Sequence, residues 1–164
     1  MKTLLVLAAL LLAPVAWAKP LDGVVIVVID GDTVLFRPDH YHPSSRAFLK
    51  VRLAGIDAPE AGQPHGETAT RALKTLVLKQ RVSLYRVATD RYGRTLGRLE
   101  LAGLDINAEL VRRGHAWAFS QDAADPLRRM QDEARHARRG LWAAPEQTPP
   151  WIWRRRQDVL IRPN

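Results

Sequence analysis

The sequence predicts a small closed β-barrel of five strands with three α-helices packed on it, an α+β domain. Three observations point there. Short apolar runs with alternating polar positions recur between residues 23 and 101. One helix-period segment, residues 66–80, interrupts them after the third strand, and two more helical segments occupy the second half of the chain.

Taken in order, residues 23–30 and 33–38 read as two strands joined at Asp30-Gly31-Asp32, where aspartate and glycine favour a bend or bulge. "AFLKVRLAGI", residues 47–56, alternates as a half-buried strand does, and the polar "DHYHPSS" before it, with Pro43, is a hairpin tip. "GETATRALKTLVLKQ" sets Ala69, Leu73, Leu76 and Val77 at helical spacing, and Glu67 near its start suits the positive end of the helix dipole. "RVSLYRV" (81–87) and "RTLGRLEL" (94–101) are the last two strands, joined by the loop "ATDRYG" that Gly93 closes.

"LDINAELVRRG" is a short helix stopped by Gly114, and the aromatic-bearing "HAWAF" is extended. The last helix starts at Asp125-Pro126, an N-cap followed by proline. Its apolar stripe of Leu127, Met130, Ala134, Ala137 and Leu141 reads as core, and Gly140 marks its end. Pro145, Pro149 and Pro150 then break the chain into a tail, "WIWRRRQDVLIRPN". Interleaved tryptophan and arginine suit base stacking, but the apolar area of the tryptophans favours docking of the tail on its own domain.

At the N-terminus, Lys2, the apolar run Leu4–Leu12 and the small-x-small step Ala16-Trp17-Ala18 form the three regions of a secretory signal peptide. The run is too short for a membrane anchor, which needs roughly 20 apolar residues. The expected organisation is a signal peptide over 1–18, a folded domain over 19–144 and a tail over 145–164, with export to the periplasm or the medium. With no cysteine, a disulfide framework and a lipid-modified N-terminus are both excluded. A formal charge of +8 favours a polyanionic partner, either nucleic acid or an anionic envelope surface. The open face of a small barrel is a usual place for an oligonucleotide.

Three clusters carry the chemistry: Asp30-Gly31-Asp32, "VRLAGIDAPE" and "DRYGR". Each alone is consistent with a turn or a solvated loop; together they make a phosphodiesterase set. Hydrolysis of a phosphodiester needs a hard cation, a base to activate water, and cationic groups for the developing equatorial charge. Hard cations take oxygen ligands, which Asp32 and Asp57 can supply along with a backbone carbonyl and waters. Glu60 can take or orient the attacking water. Arg52 and Arg94 have the planar fork that matches phosphate oxygens. The five histidines are scattered, and the pair His40 and His42 supplies too few ligands for a metal site.

The order and spacing of "IDGDT", "VRLAGIDAPE", "DRYGR", "NAELVRRG" and the closing "RRGLW" resemble the staphylococcal nuclease-like (thermonuclease) family over nearly all of residues 23–142. The resemblance implies an OB-fold barrel with three helices and Ca²⁺-dependent cleavage of DNA and RNA that leaves 3′-phosphates. It implies that Asp32, Asp57 and the carbonyl of Ala58 bind calcium and that Glu60 is the general base or positions the water. Arg52 and Arg94 would hold the scissile phosphate, and Asp30 would support the metal site without coordinating.

Two departures stand out. Ala58 occupies a threonine position of the best-known member, and the tyrosines that stack on the base there are missing. Trp117 or Phe119 would substitute for them, and Tyr92 is the further candidate for a nucleotide contact. A monomer acting on DNA and RNA is expected. The rival readings are a barrel that binds single-stranded nucleic acid without cutting it, and an envelope-adhering structural protein.

Overall fold

The barrel closes where its third strand meets its last. In the computed structural model, β1 (Leu21–Val28), β2 (Thr33–Pro38) and β3 (Leu49–Leu53) form an antiparallel meander, while β5 (Arg81–Thr89) pairs with both β1 and β6 (Thr95–Leu101). A parallel pairing of β3 with β6, Arg52 opposite Leu96, seals the ring of five strands. Residues 19–42 and 44–161 are described; the expected signal peptide, residues 1–18, and Pro43 lie outside the described residues.

Alternation makes the interior. Val25, Val34, Phe36, Val51, Leu84 and Leu99 are fully buried, joined by Leu73 and Val77 of α1 (Gly66–Val77) and by Ile106 and Leu110 of α2 (Ile106–Arg112). Each such side chain contributes about 1.5–3 kcal/mol. Asn107 ties α2 to the barrel: its Oδ1 accepts the Leu99 amide at 3.2 Å, and its Nδ2 donates to the carbonyls of Ala54 at 2.9 Å and Gly97 at 3.2 Å.

Several expected boundaries move, each for a physical reason. Asp30–Asp32 is a full chain reversal between antiparallel β1 and β2; the bulge lies earlier, between Val25 and Val27. The expected strand 47–56 is cut at Gly55, whose φ of +76° turns the chain into the two-residue β4 (Ile56–Asp57). Short strands β7 (Leu104–Asp105) and β8 (Trp117–Ala118) pair with β6 and β4. Helix α1 ends three residues early because Lys79 and Gln80 hydrogen-bond to the backbone of Val25 instead. Helix α3 (Pro126–His136) stops before Ala137, which is exposed, and Leu141 is buried from a separate 3₁₀ turn, Gly140–Ala143.

The tail is the larger departure from the expected three helices. It forms a fourth, α4 (Pro150–Ile161), opened by a proline at the position helices tolerate best. Trp117, Trp142 and Ala134 make a second apolar cluster, and Trp151 of α4 packs onto it edge-on, 5.6 Å from Trp117 between ring centroids. The tail therefore docks on its own domain.

Candidate active site

The hairpin at Asp30–Asp32 is built to bury one carboxylate. Asp30 Oδ1 accepts the Asp32 amide at 3.1 Å, closing the turn from within. Gly31 lies where a Cβ would stand 2.6 Å from that of Ala58 and 2.9 Å from that of Ala69, so only glycine lets the turn settle between them. Asp32, 1% exposed, then accepts the Ala58 amide at 2.7 Å and the Thr33 hydroxyl at 3.1 Å. Burial pushes its carboxyl up to about 7, even though Arg52 and the Ala58 amide pull the other way.

Register places the first arginine. Arg52 stands opposite Thr33 in the β2–β3 ladder, next to Asp32. Its guanidinium bridges two carboxylates, giving one terminal nitrogen to Asp32 Oδ1 and the other to Asp57 Oδ1. Burial acts against this guanidinium's charge, but Asp32 and Asp57 outweigh it and hold the cation more firmly than usual. Asp57, also 1% exposed, reaches this point because β4 pairs with β8, Asp57 facing Trp117.

Glu60 sits on the loop after β4 and is only half-buried. Its amide donates to Gln63 Oε1 at 3.1 Å, and its carbonyl lies so close to Gly66 that any Cβ there would stand 1.8 Å away. Arg94 is held differently. Its Nε donates to Asp90 Oδ2 at 2.7 Å, while the Asp90 Oδ1 gathers the amides of Tyr92 and Arg94, both at 2.9 Å. Asp90 is held below the usual carboxylate range: burial, the largest single effect, raises it, and the hydrogen bonds from Arg94 and Tyr92 with the Arg94 charge together outweigh that. The terminal nitrogens of Arg94 have no partner among the described residues and remain available.

All of this opens into one cleft of about 890 Å³, lined by Asp30, Arg52, Asp57, Glu60, Tyr92 and Arg94 among others. Asp32 lies beneath it, under Arg52. Of the two aromatic substitutes expected, Phe119 is in the cleft and 65% exposed, whereas Trp117 is buried in the second apolar cluster. Tyr92, 68% exposed, lies at the rim between Arg91 and Arg94, whose guanidinium carbons stand 4.8 and 5.5 Å from its ring centre.

Sequence reasoning missed two participants. Gln63 links the Glu60 loop to the tail through a 2.5 Å bond from its Nε2 to the Thr148 carbonyl. Arg154, on α4, donates to Asp57 Oδ2 at 2.7 Å and to Glu60 Oε1 at 2.6 Å. These hydrogen bonds, above all those to Asp57, hold its charge more firmly than usual, against burial. No motif announced either residue; a Trp-x-x-Arg spacing that puts Trp151 and Arg154 on one helix face was the available signal.

Among the described residues, no three His, Cys, Asp or Glu side chains converge as a ready-made cage. The donors present are hard carboxylate oxygens, two of them buried beside a third. That chemistry fits a hard divalent cation that completes its shell with carbonyl, water and phosphate oxygens.

Fold and site together define an OB-fold barrel carrying a carboxylate–arginine centre in an open cleft. The chain belongs to the staphylococcal nuclease family: the family described as "Staphylococcal nuclease homologue" matches residues 50–144. It is 43% identical to Protein ParB of Escherichia coli, over 93% of this chain and 89% of that protein. It is 38% identical to a micrococcal nuclease of Shigella flexneri (85% and 83%), and 40% identical to an uncharacterized endonuclease of Escherichia coli O157:H7 (84% and 87%).

Proposed function

We propose that this protein is an exported, Ca²⁺-dependent endonuclease that hydrolyses phosphodiester bonds of DNA and RNA and leaves 3′-phosphate ends. It is a nuclease by its family and its relatives. The observation that carries the finer reading is the meeting of Arg52, Asp57, Glu60 and Arg94 at one cleft, with the buried Asp32 bonded to Arg52 behind it, each from a different turn or strand. A basic chain supports a polyanionic substrate.

Asp32 and Asp57 would hold the cation, with the Ala58 carbonyl as a further oxygen. Bound there, calcium would polarise the phosphate and neutralise part of its charge. Glu60 takes a proton from water as the water oxygen attacks phosphorus. Arg52 and Arg94 grip the equatorial oxygens as charge grows on them, and the P–O5′ bond breaks, the departing oxygen taking a proton from solvent water to leave a 5′-hydroxyl. Asp30 closes the turn that aims Asp32 and does not coordinate. Residues 1–18 direct export, and the chain acts as a monomer.

The test uses residues 19–164 with single-stranded DNA, duplex DNA and RNA. With Ca²⁺ present, all three should be cut to 3′-phosphate products, and EGTA should stop the reaction. Glu60→Gln should lower kcat by at least about 10³-fold while the circular dichroism spectrum is kept. Binding of single strands without turnover in saturating calcium would favour the rival reading, a barrel that holds nucleic acid without cutting it.

A further inference from the structure

Helix α4 brings a cation of its own to the site. Its seat is apolar: Trp151 packs against Trp117, and Pro150 is buried. The Gln63–Thr148 bond ties the approach to the helix to the Glu60 loop. Trp151 and Arg154 are three residues apart on one helix face, so docking the tryptophan turns Arg154 into the cleft. The next two arginines, Arg155 and Arg156, stay exposed.

Arg154 takes the lone pairs that a metal would need. One terminal nitrogen lies 2.7 Å from Asp57 Oδ2; the other lies 3.2 Å from Asp57 Oδ1 and 2.6 Å from Glu60 Oε1. Asp57 Oδ1 also receives Arg52, so both of its oxygens are held by guanidinium donors. The Glu60 oxygen held by Arg154 is one that the attacking water would otherwise use. A divalent cation on Asp57 and a guanidinium in this position exclude each other by charge as well as by space.

We propose that α4 is a built-in competitor for the metal: Arg154 closes the carboxylate site until a divalent cation displaces it and lifts the helix from the cleft. The inference rests on the proposed cation role of Asp57. The docked helix sets the concentration of calcium at which the site opens and leaves Glu60 paired until then. Arg52 remains on the barrel wall in either state, because it is borne by a strand.

Calorimetric titration of residues 19–164 with Ca²⁺ alone, without substrate, tests this, using wild type, Arg154→Ala and Arg155→Ala. Arg154→Ala should bind calcium about tenfold more tightly than wild type, and Arg155→Ala within about twofold of it. In wild type, calcium should speed amide hydrogen exchange across residues 151–158, and Arg154→Ala should exchange fast there without calcium. Equal or weaker calcium binding by Arg154→Ala overturns the competition. Equal tightening in both variants also overturns it, since that is only a change in net charge. So does calcium binding that leaves exchange in the wild-type helix unchanged. If Asp57 is not a cation ligand, none of the three proteins binds calcium, and the metal reading falls together with the competition. Equal binding in all three refutes the competition alone.

Discussion

The two arginines proposed to grip the phosphate sit in opposite settings. Arg52 is fixed on a barrel strand, bridging two buried carboxylates. Arg94 closes an exposed loop, and its guanidinium is tied to Asp90 through Nε alone. The first therefore carries part of the fold as well as the chemistry, and the second carries chemistry with almost no structural duty. One reaction draws on a rigid wall and a loop that can adjust to substrate, which is how sites commonly combine a scaffold with positioning residues.

Alanine at each position should split these roles. Both Arg52→Ala and Arg94→Ala should lose about 10²–10³-fold in kcat/KM. Only Arg52→Ala should also lose stability, by about 2–3 kcal/mol, because it leaves the buried Asp32 without a cationic partner and Asp57 with Arg154 alone. Arg94→Ala should stay within about 0.5 kcal/mol of wild type. Urea unfolding beside steady-state kinetics checks both. Equal stability of the two variants would break the comparison.

The buried wall has a further consequence, which Asp32 makes measurable. Its folded carboxyl is raised from an ordinary 3.8 to about 7 by burial. A raised acid contributes stability that is fully present below its unfolded value and lost as pH rises through its folded one. Without metal, Asp32 should therefore weaken the fold progressively between about pH 4 and pH 7. Asp32→Asn removes that dependence. In EDTA at pH 8 it should be more stable than wild type by about 1–2 kcal/mol while being inactive with calcium. A thermal melt across pH decides, and a variant less stable than wild type at pH 8 would refute the argument.

The wall was also the more legible half. Asp32, Arg52 and Asp57 lie in two short motifs, one at the turn between two strands and one on a strand and its end, and the alternation of those strands shows in the sequence, so local pattern and site coincide. The same pattern could not show that Gly55 would cut β3 from β4, because a single left-handed residue leaves no periodic trace. The pairing of Arg154 with Asp57 spans 97 residues and depends on where Trp151 docks. Nothing local to either end encodes it. Asn107 and Gln63 escaped notice for the same reason: both act through backbone atoms far along the chain.

The smallest effects belong to the exposed aromatics, and they sharpen the comparison from the loop side. Phe119 and Tyr92 both line the cleft, so both can offer a face to a nucleobase. Tyr92 already has Arg91 and Arg94 over its ring, whereas Phe119 has no such neighbour among the described residues. Stacking on an open ring is worth about 1–3 kcal/mol per base, and an exposed site falls at the low end. Phe119→Ala should thus raise KM about five-fold with kcat unchanged. Tyr92→Ala should raise KM by a similar factor and also lower kcat about two-fold, because the loop that holds Arg94 loses a ring it rests on. Trp117→Ala should behave as neither does, costing about 3 kcal/mol of stability from the buried cluster. A Phe119 variant that changes kcat and not KM would place that ring in the chemistry instead of in binding.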